Sequence, residues 1–183
     1  LSDACTLCED IVQSHSKDIF VREQLLTLYT KVCNPNKAIA HLEILCTLSV
    51  KFKDKAERIY KELLDSFPDE YHIRCSYINF LISTDAFTEA IIQCDTFYDH
   101  FDKHETFIET TIKTILDRTQ NHPLTICRYL DLMVRKQQFS EIKIWIDVCL
   151  DLPEVPIQEL LIILDKVLVY PVVEKPHFEY QSA

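Results

Sequence analysis

The sequence predicts an all-α fold, an array of about ten antiparallel helices, on three observations. None of the 183 residues is glycine, where average usage of about 7% would give roughly a dozen. Tight β-hairpin turns, phosphate-cradling loops, dinucleotide turns and nucleophile elbows need backbone at positive φ or close to a ligand, which glycine supplies most cheaply. A β-meander and those enzyme classes are therefore not expected. Hydrophobic residues make up 48% and charged residues 26%, the balance of a globular chain able to bury its own core. Apolar residues also recur at helical spacing almost throughout, with only short polar interruptions.

The first helix is expected from Leu1, Ala4, Leu7, Cys8, Ile11 and Val12, with Ser2 and Asp3 as caps. A second spans Ile19 to Val32 and stops at Asn34 and Pro35, and a third runs from Ala38 to Val50. Lys51 to Lys55 reads as a short basic joint. Ala56 to Phe67 follows and stops at Pro68, after which Asp69 caps a helix running to Ile82. Ser83, Thr84 and Asp85 turn the chain into a helix from Phe87 to Phe101, and Glu105 to Thr119 forms the next. Pro123 to Lys136 starts with proline where a missing N–H costs nothing, and Phe139 to Leu150 and Ile157 to Val169 complete the set. These elements make one helical-repeat domain over 1–169. Pro171 and Pro176 make 170–183 an extended tail, expected either to pack back on the terminal helices or to dock on a partner through Tyr170, Val172, Phe178 and Tyr180.

Nineteen Lys and Arg against 29 Asp and Glu give a net charge of −10, so the average surface repels nucleic-acid backbones and anionic membranes. The eight cysteines are scattered through apolar stretches, which reads as free, buried thiols in a reducing intracellular compartment rather than as a disulfide framework. No run approaches the roughly 18 apolar residues of a membrane span, and direct insertion into a membrane is not expected. A chain opening at Leu1 reads as a piece of a longer polypeptide.

Ala4 and Ala38 lie at an offset of 34 (38 − 4), and Ala56 and Ala90 repeat it (90 − 56). Helix-turn-helix arrays place small residues at that spacing, where two helices cross. Upstream of Ala38 stand Leu25, Leu26 and Tyr29; after Ala56 come Tyr60, Leu63 and Pro68, then Tyr77-Ile78-Asn79-Phe80 and Phe87-Thr88-Glu89-Ala90. This pattern resembles the tetratricopeptide superfamily, and in particular its half-a-TPR (HAT) variant. Arg74 replaces the tryptophan usual in that variant, and the offset from Ala38 to Ala56 is only 18 (56 − 38). Phe139-Ser140-Glu141-Ile142 echoes Phe87-Thr88-Glu89-Ala90 at an offset of 52 (139 − 87), or 34 plus one helix and its loop. The resemblance implies a right-handed α-solenoid acting as a non-enzymatic protein-binding scaffold in a multi-subunit assembly, and a nuclear RNA-processing or transcription setting. A cytoplasmic vesicle-tethering scaffold is the alternative.

Motifs that could carry chemistry have plainer readings. Cys5-x-x-Cys8 lacks the second pair that a tetrahedral zinc site needs, so both thiols are expected in the core. His100 and His104, near Asp95, Asp99 and Asp102, read as a solvated helix end. Tyr71, Tyr77, Phe80, Phe87, Phe97, Phe101 and Phe107 read as core between helices, as does Trp145 with Ile142, Ile144, Ile146 and Cys149. Lys51, Lys53, Lys55, Arg58 and Lys61 form the one basic stretch, diluted by Asp54, Glu57 and Glu62. They are candidates for an RNA-backbone or acidic-peptide contact, although a solvated helical segment is the simpler reading. No catalytic, cofactor-binding or metal-binding residue is expected.

Overall fold

The computed structural model describes residues 1–100, 105–119, 122–154 and 156–169, with side chains omitted at 98–100 and 169. Among them the chain is all-α: α1 (Ser2–Ser14), α2 (Ile19–Lys31), α3 (Pro35–Leu48), α4 (Val50–Ser66), α5 (Tyr71–Ser83), α6 (Phe87–His100), α7 (Glu105–Thr119), α8 (Pro123–Arg135), α9 (Phe139–Leu150) and α10 (Ile157–Val169). They fall into two compact units, Leu1–His104 with α1 to α6, and Glu105–Ala183 with α7 to α10. The tail residues Tyr170, Val172, Phe178 and Tyr180, and the end of the expected sixth helix at Phe101, lie outside the described residues.

The local boundaries follow from capping chemistry. Asp18 accepts a hydrogen bond from the Val21 N–H at 3.0 Å and Asn34 one from the Lys37 N–H at 3.3 Å, satisfying helix-start donors that have no intrahelical partner. Pro35 therefore opens α3 as well as following the end of α2 expected from the sequence. The expected caps Ser2, Asp3 and Asp69 give way to Leu1 and Glu70. The basic joint is corrected more substantially. Only Ser49, extended at φ −145° and ψ 117°, separates α3 from α4, and Lys51 to Lys55 form the first turns of α4. Lysine is a good helix former, so a polar run here does not interrupt the helix.

The helices recur at a constant offset of 52. α2, α5 and α8 begin at Ile19, Tyr71 and Pro123 (71 − 19, 123 − 71), and α3, α6 and α9 at Pro35, Phe87 and Phe139 (87 − 35, 139 − 87). α7 and α10 begin at Glu105 and Ile157, again 52 apart (157 − 105). Each first-to-second-helix turn ends in the same way. Cys33, Asp85 and Gln137 take positive φ (55°, 60° and 57°). The following N–H of Asn34, Ala86 and Gln138 bonds the carbonyl of Tyr29, Leu81 and Met133 at 2.9 Å in all three. This is the Schellman closure, which usually employs glycine at its left-handed position; this glycine-free chain uses three other residues and accepts the Cβ crowding there.

In the first unit, α2 packs on α1 and α3, α3 reaches α4 and α5, and α5 packs on α4 and α6. Leu25, Ala38, Leu42, Leu45, Ala56, Ile73, Tyr77, Ala90 and Phe97 are sealed from solvent in its core. α1 departs from its expected stripe: Cys5 is buried, Cys8 only half-buried, and Ala4, Leu1 and Leu7 are exposed. Polar chemistry helps to hold it. Glu9 accepts from the Tyr29 hydroxyl and from Lys37 Nζ (2.7 Å), and Lys37 also lies 5.0 Å from the centre of the Tyr29 ring. The Lys37 hydrogen bond, then that from Tyr29, holds the Glu9 carboxyl below its ordinary 4.5. A lowered carboxyl pKa stabilises the folded contact above the unfolded value and loses that effect as pH falls through the folded one. Amide exchange in α1 should accordingly quicken as pH is taken from about 5 to below the depressed pKa, after correction for intrinsic rates, and Glu9→Gln should abolish that extra pH dependence. Unchanged α1 protection in the wild-type chain would refute the role given to Glu9.

In the second unit α8 is central, packed against α7, α9 and α10. Ile126, Cys127, Leu130 and Cys149 are fully enclosed. Asp131 on α8 binds Lys166 of α10 and, at 2.8 Å, Arg135. Burial works against its ionised form, and the two cations outweigh burial to leave its pKa lowered. Lys136 bonds Glu109 of α7. Trp145 is half-buried and meets Tyr129 edge-to-face at 5.1 Å, while Ile144, expected beside it in the core, is 61% exposed.

Candidate interaction groove in the first unit

α3 and α5 leave two adjoining hollows of about 390 and 300 Å³ that share Glu43, Ser76 and Asn79. The larger is closed on one side by Val50, Lys53 and Tyr60 of α4, with Cys46, Thr47 and Phe80 on its walls. The smaller continues past Asn36, Ile39 and Ala40 to His72 and Cys75. Together they form an elongated, open groove along one side of α3 and α5.

Its floor is a chain of hydrogen bonds. Ser76 donates to Glu43 Oε1 at 2.5 Å, and with its proton so committed its oxygen accepts from the Tyr60 hydroxyl at 2.9 Å. Successive hydrogen bonds of this kind polarise one another. Tyr60 is buried against Tyr77 and Phe80, both with ring centroids 5.3 Å away, and burial raises its pKa far above the ordinary phenol value. Ser76 is therefore held between a neutral phenol and a carboxylate, not activated by a base for nucleophilic attack. Burial also pushes Cys75 up to about 11 and raises Cys46, which keeps both thiols protonated at neutral pH, the unreactive form.

What the groove offers is binding chemistry. Asn36 and Asn79 are exposed, and a carboxamide presents both donors and an acceptor, matching a peptide unit. Glu43 adds an acceptor for N–H groups or a cation, and Ile39, Ala40, Val50 and Phe80 add apolar surface between them. An extended segment with alternating polar and apolar side chains fits such a lining.

The residues that carried the repeat resemblance are mostly core: Leu25, Leu26, Tyr29, Ala38, Ala56, Tyr60, Tyr77, Phe80 and Ala90 are all buried, and Pro68 is exposed in the turn before α5. The basic stretch is spread along α4. Lys51, Lys55, Arg58 and Lys61 are exposed, Lys53 lines the groove, Lys61 pairs with Glu57 at 2.7 Å and Arg58 with Glu62 at 3.5 Å. His104 and Asp102 lie outside the described residues, and among the described ones no three His, Cys, Asp or Glu side chains are placed to hold a metal ion. No described helix is long and apolar enough to cross a membrane. Of the cysteines, Cys5, Cys94, Cys127 and Cys149 are buried, while Cys33 is exposed at its left-handed turn, against the expectation of burial throughout. Neither Glu43 nor Ser76 is marked by the sequence, and Asn79 figures there only within Tyr77-Ile78-Asn79-Phe80; a lone serine inside a helix signals nothing until the carboxylate 33 residues away is seen to reach it. The chain matches no family model, and no curated protein matches it significantly.

Proposed function

We propose that the chain is a non-enzymatic helical-repeat scaffold that binds protein partners within a multi-subunit assembly, its helices stacked as a right-handed array of the tetratricopeptide or HAT kind. The α3–α5 groove carries this reading: an open, elongated hollow with exposed carboxamides, a carboxylate and interspersed apolar walls suits an extended polypeptide. The HAT-like residues favour a nuclear RNA-processing or transcription assembly over a cytoplasmic tethering complex. RNA binding through Lys51, Lys53, Lys55, Arg58 and Lys61 is the weaker reading, because two of the five cations already pair with Glu57 and Glu62 and the chain carries −10 overall.

The test is recovery of the tagged full chain from its own cells, with and without nuclease, beside an Asn79→Trp variant that fills the groove from an exposed position. A defined set of subunits that resists nuclease and is lost with Asn79→Trp, at unchanged circular dichroism, is the expected result. Partners that vanish on nuclease treatment and on changing Lys51, Lys53 and Lys55 to glutamate would move the function to nucleic acid. Trafficking proteins in place of nuclear ones would overturn the nuclear setting, and a set indifferent to Asn79→Trp would remove the groove.

A further inference from the structure

The α3–α5 groove has a length and a charge pattern that narrow what it takes. Asn36 shares the smaller hollow with His72, Thr47 shares the larger with Ser83, and Glu43 and Asn79 line both. The two walls therefore climb together, through the same steps of seven and four residues (43 − 36 and 47 − 43; 79 − 72 and 83 − 79). At about 1.5 Å per residue the groove runs roughly 16 Å, which takes about five residues of extended chain at about 3.3 Å each. A helix is the poorer fit. Its peptide groups are already bonded to one another, whereas the exposed carboxamides of Asn36 and Asn79 suit peptide groups that are not.

Two opposite charges overlook the larger hollow, Glu43 from α3 and Lys53 from the first turns of α4. They are not paired with each other, and among the described residues neither has another ion-pair partner, whereas Arg58 and Lys61 farther along α4 both do. Burial raises the pKa of the Cys46 thiol on the hollow's wall; Lys53 opposes that rise and Glu43 adds to it, so both charges act on one point. The Glu43 carboxylate is also held in place. Its Oε1 accepts from Ser76, whose oxygen accepts from the buried Tyr60 hydroxyl, and Oε2 is left for a ligand. A group fixed beforehand loses little side-chain entropy on binding. On the reading of the groove as a polypeptide site, we infer that its ligand is an extended segment with a basic side chain for Glu43 and, two residues away, an acidic one for Lys53. Successive side chains of such a segment point to opposite sides, so only residues an even number apart face the same hollow. A spacing of two covers about 6.6 Å, while a spacing of four, about 13 Å, would take up nearly the whole groove.

A phage-displayed library of random heptapeptides is selected on the immobilised full chain, and binders that also hold to Asn79→Trp are discarded. Peptides with Arg or Lys two residues from Asp or Glu should dominate what remains. The leading peptide, synthesised with a fluorescein label and followed by anisotropy at physiological salt, should bind about five- to tenfold more weakly to Glu43→Gln, which keeps an acceptor for Ser76, and to Lys53→Gln. Replacing the peptide's basic residue by Gln should cost the wild-type chain about the same factor and cost Glu43→Gln little further, and the acidic residue should couple to Lys53 in the same way. Lys55→Gln, the same change of charge at an exposed position outside the groove, should leave binding intact. Groove-dependent peptides that lack the paired charges, or a loss below about twofold in either variant, overturn the inference and leave the groove as a polypeptide site. A library that yields no binder lost with Asn79→Trp overturns the groove reading itself, and this inference with it.

Discussion

Tyr60→Ala should be the most destabilising single substitution in the first unit, costing about 3–5 kcal/mol. The phenol is 1% exposed, stacked on Tyr77 and tilted against Phe80, so its loss opens a cavity among packed rings. Tyr60→Phe keeps the rings and removes only the hydroxyl, and because Ser76 retains its bond to Glu43, that change should cost about 1 kcal/mol. Ser76→Ala is expected between them, at about 1–3 kcal/mol, since it leaves the buried phenol without its acceptor. Urea titration followed by amide exchange in α4 and α5 reads these effects directly; emission from Trp145, the one tryptophan, reports on the other unit. A Tyr60→Phe cost equal to that of Tyr60→Ala would show that the hydroxyl, not ring packing, dominates.

Arg22 and Arg74 hold equivalent positions, at an offset of 52 (74 − 22), and should respond very differently to the same change. Arg22, 6% exposed, donates through Nε and Nη2 to the Ser16 carbonyl at 2.9 and 2.6 Å, and its Nη1 lies 3.4 Å from His41 Nδ1. It ties the α1–α2 connection to α2 and α3. Arg74 keeps the lateral contact, Nη1 to Gln93 Oε1 at 2.9 Å, but its buried Nε has no hydrogen-bond partner, and burial lowers its pKa. Charged hydrogen bonds are worth about 1.5–3 kcal/mol each, and an unsatisfied buried donor costs a comparable amount. Arg22→Met should therefore lose about 2–4 kcal/mol, while Arg74→Met should fall within about 1 kcal/mol of wild type. His41 supplies a second readout. Burial first, and then the Arg22 charge, holds its pKa below 6.5, so Arg22→Met should raise it in an NMR titration. Equal losses from the two substitutions, or an unmoved His41, would defeat this account.

The helices were legible because their connections were. Asn34-Pro35, Ser83-Thr84-Asp85 and the approach to Pro123 are short and chemically unlike the apolar-periodic segments beside them. The α3–α4 junction was not, because a break at a single position leaves no composition to read and the lysines after it are ordinary helix formers. The longer recurrence showed only faintly, in Phe139 to Ile142 against Phe87 to Ala90, since equivalent core positions keep their burial but not their residue type: Leu42 and Cys94, or Leu45, Phe97 and Cys149. The groove was invisible for a different reason. Glu43 and Ser76 belong to helices one full helix apart in the chain, and nothing local marks either residue.

Residues 19 apart link the first and second helices of each segment: Arg22 with His41, and Arg74 with Gln93, while Ile126 and Trp145 hold the corresponding places in the third. Hairpins of nearly equal length and identical closure invite exchange while the chain is still collapsing, as in other tandem architectures. Here an exchange carries a chemical penalty. Setting α9 against α2 would bring an indole to a guanidinium that needs an acceptor, and setting α3 against α8 would strand an imidazole on Ile126. The apolar pair of the third segment thus marks its hairpin off from the two built around an arginine, on a backbone plan whose three turns close alike.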